Sequence, residues 1–251
     1  MKIPFNYTLA FLLHLTVISS TFSSELAIPS SRVLSPRGSG NDHTMLPFGL
    51  LNAGLESMRY QQVYDGSDFS RRFPDGVLIQ SIEFGPYLEV FSSQQPNFQV
   101  ILSITPMEPD GLSTVFAENI GINETVVFGP SSISWPNKPL DSAGAIYSIP
   151  LDAPYMYDPE LGNLLMEIRN FEPEVFDLPS NVFQEVVAEN AQGDTSSRLY
   201  AYSVDATEGI TDTLGLLTSF TVQPIPEPST ALLWLLTLGC LGSMAIIRRA
   251  R

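Results

Sequence analysis

The sequence predicts an all-β fold: an antiparallel β-sandwich of jelly-roll type, with an N-terminal signal peptide and one C-terminal transmembrane helix. Three observations carry that reading. From Met45 onward, short apolar runs recur roughly every ten residues, separated by clusters of Gly, Pro, Asn and Asp, the spacing of strands and turns in sandwiches and barrels. Nearly all of the 20 prolines lie between Pro29 and Pro228, and few apolar patterns of helical period survive them. Longer uncharged apolar runs occur only near the two ends, at Leu9–Ile18 and Ala231–Ile247.

In chain order, residues 1–24 have one positive charge (Lys2), an apolar core over residues 9–18, and the small residues Ser19, Ser20, Ser23 and Ser24. That is the layout of a secretory signal peptide, with an uncleaved N-terminal anchor as the alternative. Residues 25–44 contain Pro29, Pro36, Gly38, Gly40 and several serines with little apolar content, which predicts a flexible linker. Residues 45–223 form the predicted sandwich, with strands expected at 58–64, 77–84, 97–105, 113–117, 124–128, 145–150, 164–170, 182–188, 198–204 and 215–222. The clearest alternation puts Phe98, Val100, Leu102 and Ile104 on one face and Gln99 and Ser103 on the other. Leu164, Met166 and Ile168 repeat it against Glu167 and Arg169. Leu199 and Ala201 oppose Arg198, Tyr200 and Tyr202, whose rings are placed to cover the second face. One short helix near Ala53–Met58 competes with a strand that begins at Met58.

Residues 224–251 combine three devices in a fixed order. Pro224, Pro226 and Pro228 make a stiff approach, residues 231–247 supply the transmembrane helix, and Arg248, Arg249 and Arg251 follow. Seventeen residues rise about 25 Å as a helix, close to the hydrocarbon thickness once Ser229, Thr230 and the arginine stems extend it. The arginines act as stop charges on the cytoplasmic side, which puts everything before Pro224 outside. This tail resembles the PEP-CTERM sorting signal of exported bacterial proteins, with Pro226, Glu227 and Pro228 as the motif. The resemblance implies an exosortase-like processing protease as partner, acting near the motif. It also implies a single-pass membrane intermediate exported through the inner membrane, then release or transfer to the cell surface or extracellular matrix.

The middle of the chain is similar to PEP-CTERM ectodomains at Met58–Asp65, Asp110–Phe116, Glu124–Phe128, Tyr157–Pro159, Gly162–Leu165 and Asp212–Leu216. That likeness implies a fold and a destination and brings no catalytic or binding residues.

Composition narrows the chemistry. The formal net charge is −15, and four of the twelve cations (Lys2, Arg248, Arg249 and Arg251) sit in the terminal segments, so the middle is more acidic still. Such a surface repels nucleic acid, and no nucleic-acid partner is expected. The single cysteine, Cys240, lies in the predicted span, so the ectodomain has no disulfide, cysteine nucleophile or thiolate metal site. His43 is the one histidine outside the signal segment and falls in the predicted linker, too little for a Ser–His–Asp triad or a zinc site. No enzyme activity, metal or cofactor is expected.

Three other readings stay open. A glycosidase needs only a carboxylate pair, with Glu83, Glu89, Glu167 and Glu185 as candidates. Asp65, Asp68, Asp152 and Asp158 are loop carboxylates suited either to calcium or to ordinary tight turns. Trp135, Tyr147, Tyr155, Tyr157, Tyr200 and Tyr202 suit either a sugar-stacking platform or core packing. Asn123-Glu124-Thr125 is a weak glycosylation match. The composite expectation is an exported structural or adhesive protein with exopolysaccharide surroundings, or alternatively a carbohydrate-binding module, with a polysaccharide hydrolase third.

Overall fold

The computed structural model describes residues 31–36, 40, 42–87, 92–136, 147–176 and 185–225. The expected signal peptide, the motif Pro226, Glu227 and Pro228, the span over 231–247 and the stop charges Arg248, Arg249 and Arg251 lie outside those residues. Among the described residues no helix is long and apolar enough to cross a membrane.

The fold is all-β, with every strand pairing antiparallel. In chain order the strands are β1 (Ser31–Ser35), β2 (Asp42–Thr44), β3 (Met58–Tyr64), β4 (Val77–Phe84), β5 (Ser93–Thr105), β6 (Ile122–Trp135) and β7 (Tyr147–Tyr157). They continue as β8 (Asn163–Asn170), β9 (Val175–Phe176), β10 (Val186–Asn190), β11 (Ser196–Ala201), β12 (Ile210–Asp212), β13 (Leu214–Leu216) and β14 (Thr218–Pro224). Two one-turn helices, α1 (Leu50–Ala53) and α2 (Ser67–Ser70), and a 3-10 turn at Phe116–Asn119 interrupt them. One sheet has the order β1-β14-β4-β7, the larger one β12-β11-β3-β8-β5-β6 with β9 beside β5, and a small third one β13-β10-β2.

The two larger sheets face each other because each has one apolar face. Phe98, Val100, Leu102, Leu164, Met166 and Ile168 from the larger sheet meet Ile79, Ile82, Phe84, Ile149, Phe220 and Val222 from the smaller one. Phe48, on the loop before α1, wedges between them. Its ring stacks on Tyr147 at 5.0 Å and touches Phe84, Phe98 and Trp135. Complete burial of a side chain of this size is worth about 1.5–3 kcal/mol. Tyr64 against Phe220, and Phe69 of α2 against Tyr157 and Phe220, close the opposite half.

The segment expected as a flexible linker is corrected here. Within 25–44, Ser31–Ser35 is a five-residue strand on β14, and Asp42–Thr44 pairs with β10, carrying His43 into a sheet. Val33 and Ser35 are buried while Arg32 and Leu34 face out, an alternation too short to separate from serine-rich turn sequence. Ser31 sits opposite Val222, so the first and last described strands lie side by side.

Other boundaries moved as well. The expected strand at 113–117 is a bridge at Val115 followed by the 3-10 turn, and the short helix is Leu50–Ala53 rather than 53–58. Leu199 and Ala201 pack under Phe116 in a small cluster outside the main core, whereas Tyr200 packs against the core itself.

Candidate functional site

The loop over residues 107–121 covers part of the outer face of the larger sheet, and polar groups fill the space beneath it. Glu167 points outward from β8, since Met166 and Ile168 point in. Its carboxylate accepts Arg59 Nε (3.0 Å) and Arg169 Nε (2.6 Å) at Oε1, and Arg59 Nη2 (3.1 Å) and Gln61 Nε2 (2.6 Å) at Oε2. Asn119 Nδ2 donates to Gln61 Oε1 at 3.0 Å, and the Arg59 guanidinium lies 4.4 Å from the Phe116 ring centre. Four donors on two oxygens leave Glu167 committed to structure rather than to proton transfer.

The carboxylates expected as a glycosidase pair do not share a cleft. Glu83 projects from the outer face of the smaller sheet and pairs with Arg32 at 2.6 Å, so it and Glu167 stand on opposite sides of the sandwich. Glu185 lies beside His43 at 3.7 Å, and Glu89 is outside the described residues. Glycoside hydrolysis needs the two groups roughly 5–10 Å apart across one bond, which outward residues on opposite faces do not provide.

The aspartates weighed for calcium brace turns. Asp65 Oδ1 accepts the Ser67 amide at 2.7 Å, Asp158 Oδ1 the Glu160 amide at 2.9 Å, and Asp152 Oδ2 the Gly129 amide at 3.1 Å. Gly129 has φ +70°, and a Cβ there would stand 2.2 Å from Phe98 O, so the bend in β6 requires glycine. Asp68 is buried and accepts Ser35 Oγ at 2.6 Å. A cleft of about 340 Å³ near this end is lined by Asp65, Ser67, Thr105, Glu108, Glu160 and Asn163. Among the described residues, no three His, Cys, Asp or Glu side chains gather in a way that could hold a metal ion.

Most of the candidate aromatics are core residues. Trp135, Tyr147, Tyr155 and Tyr157 are all buried, and burial pushes the Tyr155 hydroxyl up to about 12 and those of Tyr147 and Tyr157 further in the same direction. Only Tyr200 and the exposed Tyr202 reach the surface, with ring centres 5.7 Å apart and planes tilted by 56°. That tilt does not make a flat stacking strip.

A feature absent from the sequence reading is a cleft of about 400 Å³ between β1 and α2, lined by Arg32, Val33, Leu34, Asp68, Arg71 and Arg72. Arg32, Val33 and Leu34 fall in the expected linker and Asp68 among the loop carboxylates, and the pairing of β1 with β14 brings them into one wall. The faint signal available was Arg71-Arg72 in a chain poor in cations.

Comparison of the chain with family models, with characterised proteins and with solved structures found no match.

Proposed function

We propose that this protein is an exported, non-enzymatic structural or adhesive component of the cell surface or extracellular matrix, sorted there by its C-terminal tail. The observation that carries the reading is the ordered tail: Pro226-Glu227-Pro228, the apolar run 231–247, then Arg248, Arg249 and Arg251, which resembles a PEP-CTERM signal. The described sandwich supports it in two ways. The last described strand stops at Pro224, one residue short of the motif, so the motif follows it closely in the chain. Among the described residues, large side chains fill the interior between the two sheets, as a structural scaffold requires. In this reading the sandwich is of jelly-roll type and the tail holds it as a single-pass membrane intermediate. An exosortase-like protease then acts near Glu227, with exopolysaccharide as the surrounding matrix. The carbohydrate-binding alternative retains only Tyr200 and Tyr202 of its aromatic candidates at the surface.

The two prolines hold Glu227 extended, because Pro228 disfavours helix at the residue before it. Three arginines resist passage through the bilayer at a cost of several kcal/mol. Glu227→Ala is therefore expected to leave insertion intact and block processing, while Gln at 248, 249 and 251 lets chains slip through or invert. Mass spectrometry of the surface-extracted protein is the measurement. A mature form whose C-terminal peptide still runs from Trp234 to Arg251 would refute processing.

A further inference from the structure

We infer that the cleft between β1 and α2 binds a small organic anion, a carboxylate carried on a compact and partly apolar body of about monosaccharide size. The inference is independent of the tail and its processing.

Six arginines lie among the described residues, and no lysine does. Arg59 and Arg169 are consumed by Glu167, and Arg198 by Asp212 at 2.7 Å. The other three, Arg32, Arg71 and Arg72, all line this one cleft. In a chain of net charge −15, that is a local reversal of sign. Diffuse surface charge would not concentrate half of the described cations on one opening.

Each arginine is held differently. Arg32 reaches Glu83 at 2.6 Å yet keeps 60% of its side chain exposed. Arg72 Nη1 donates to Arg32 O at 3.0 Å, which blunts the open edge of β1 and fixes that guanidinium beside the cleft, with its cationic carbon 5.3 Å from the Phe73 ring centre. Arg71 is exposed, and its side chain makes no ion pair or hydrogen bond with a described residue. Its planar fork is therefore the one available for bidentate contact with an oxyanion. Asp68, the acid of the lining, is buried, accepts the Ser35 hydroxyl at Oδ2 and has a further interaction besides, so its carboxylate is already engaged within the fold.

The wall selects an organic anion over an inorganic one. Leu34 is 46% exposed and stands in the lining with Val33, so the charged rim adjoins an apolar surface. An inorganic oxyanion would satisfy the forks and leave Leu34 in water. A carboxylate whose ring or chain lies on Leu34 uses both, and about 400 Å³ falls within the range of small-molecule sites.

Equilibrium dialysis of the full-length chain in detergent against radiolabelled glucuronate tests this, with glucose and inorganic phosphate as comparison probes. Saturable uptake of one glucuronate per chain is expected, weakening as salt is raised. Arg71→Gln, which breaks no side-chain hydrogen bond or ion pair among the described residues, should weaken binding by about tenfold, a loss of about 1.4 kcal/mol. Leu34→Ser should weaken glucuronate but leave any residual phosphate binding unchanged. The proposal is overturned if glucuronate shows no saturable binding up to about 10 mM. It is equally overturned if Arg71→Gln binds like the parent, or if phosphate binds as tightly as glucuronate.

Discussion

Glu167→Gln is the substitution that most directly probes the covered outer face. It keeps the shape of the side chain and removes the charge. Four N–H groups now converge on the two carboxylate oxygens, and a glutamine offers one acceptor oxygen while turning an NH2 group toward donors. The Arg59 side chain is 13% exposed and that of Glu167 3%, so this is a buried pair, and breaking one from a single side costs about 3–5 kcal/mol. Arg169 is 30% exposed and adds only the scale of a surface pair, up to about 1 kcal/mol. A loss of about 3–6 kcal/mol follows, which at a slope of about 2 kcal/mol per molar urea lowers the unfolding midpoint by about 1.5–3 M. The assay is urea unfolding of a segment spanning residues 31–225, followed by tryptophan fluorescence from the buried Trp135. The partner control replaces Arg59 and Glu167 together with methionine. With both charges gone, the deficit should shrink to within about 1.5 kcal/mol of the parent. A midpoint shift below about 0.5 M for Glu167→Gln would show that water, not loop 107–121, solvates these groups, and the account of the outer face would be wrong.

Two further outcomes are expected. Val33→Asp should cost about 3 kcal/mol or more by putting a carboxylate in the core, while Leu34→Asp stays within about 1 kcal/mol, because the two residues point to opposite sides of β1. Equal tolerance of both in thermal unfolding would restore the linker reading of residues 25–44. Glu174 is buried with its carboxylate on the Leu51 amide, and burial raises its proton affinity above the ordinary glutamate range despite that bond. The folded state therefore holds the proton more tightly than the unfolded chain. Its stability contribution is complete below the unfolded pKa and is lost as pH rises from there through the raised folded value. Measured by urea midpoints, any deficit of Glu174→Gln relative to the parent should shrink as pH rises through that window, and parallel curves would contradict it.

How legible the fold was depended on how far apart the deciding residues are. β3 and β4 match the expected bounds, because their own side chains supply enough apolar surface to mark the strand. β1 was missed: five residues, three of them polar, become a strand only through five register partners on β14 at the other end of the domain. The 113–117 segment reads as β-branched and apolar, yet Asn119 ties it into a turn by accepting the Ser113 amide (2.8 Å) and donating to Gln61, 58 residues earlier. Aromatic residues with a free choice of core or surface went to the core once Phe48, supplied by a loop, was there to stack on. Glu167 was one carboxylate among 27 in the sequence, and its importance arises from Arg59, 108 residues away. The arginine cleft was hidden for the same reason as β1.

The pairing of Ser31 with Val222 also decides how the domain bears mechanical load. β14 runs between β1 and β4, with Phe220 and Val222 anchored in the core. Tension applied at Ile225 against the body of the sandwich pulls β14 lengthwise and shears both ladders, so many hydrogen bonds must fail together. Tension applied between Ser31 and Ile225 instead opens β1 from β14 one rung at a time, like a zip. The same domain is therefore strong as the last bead on a tether and weak as a link within one.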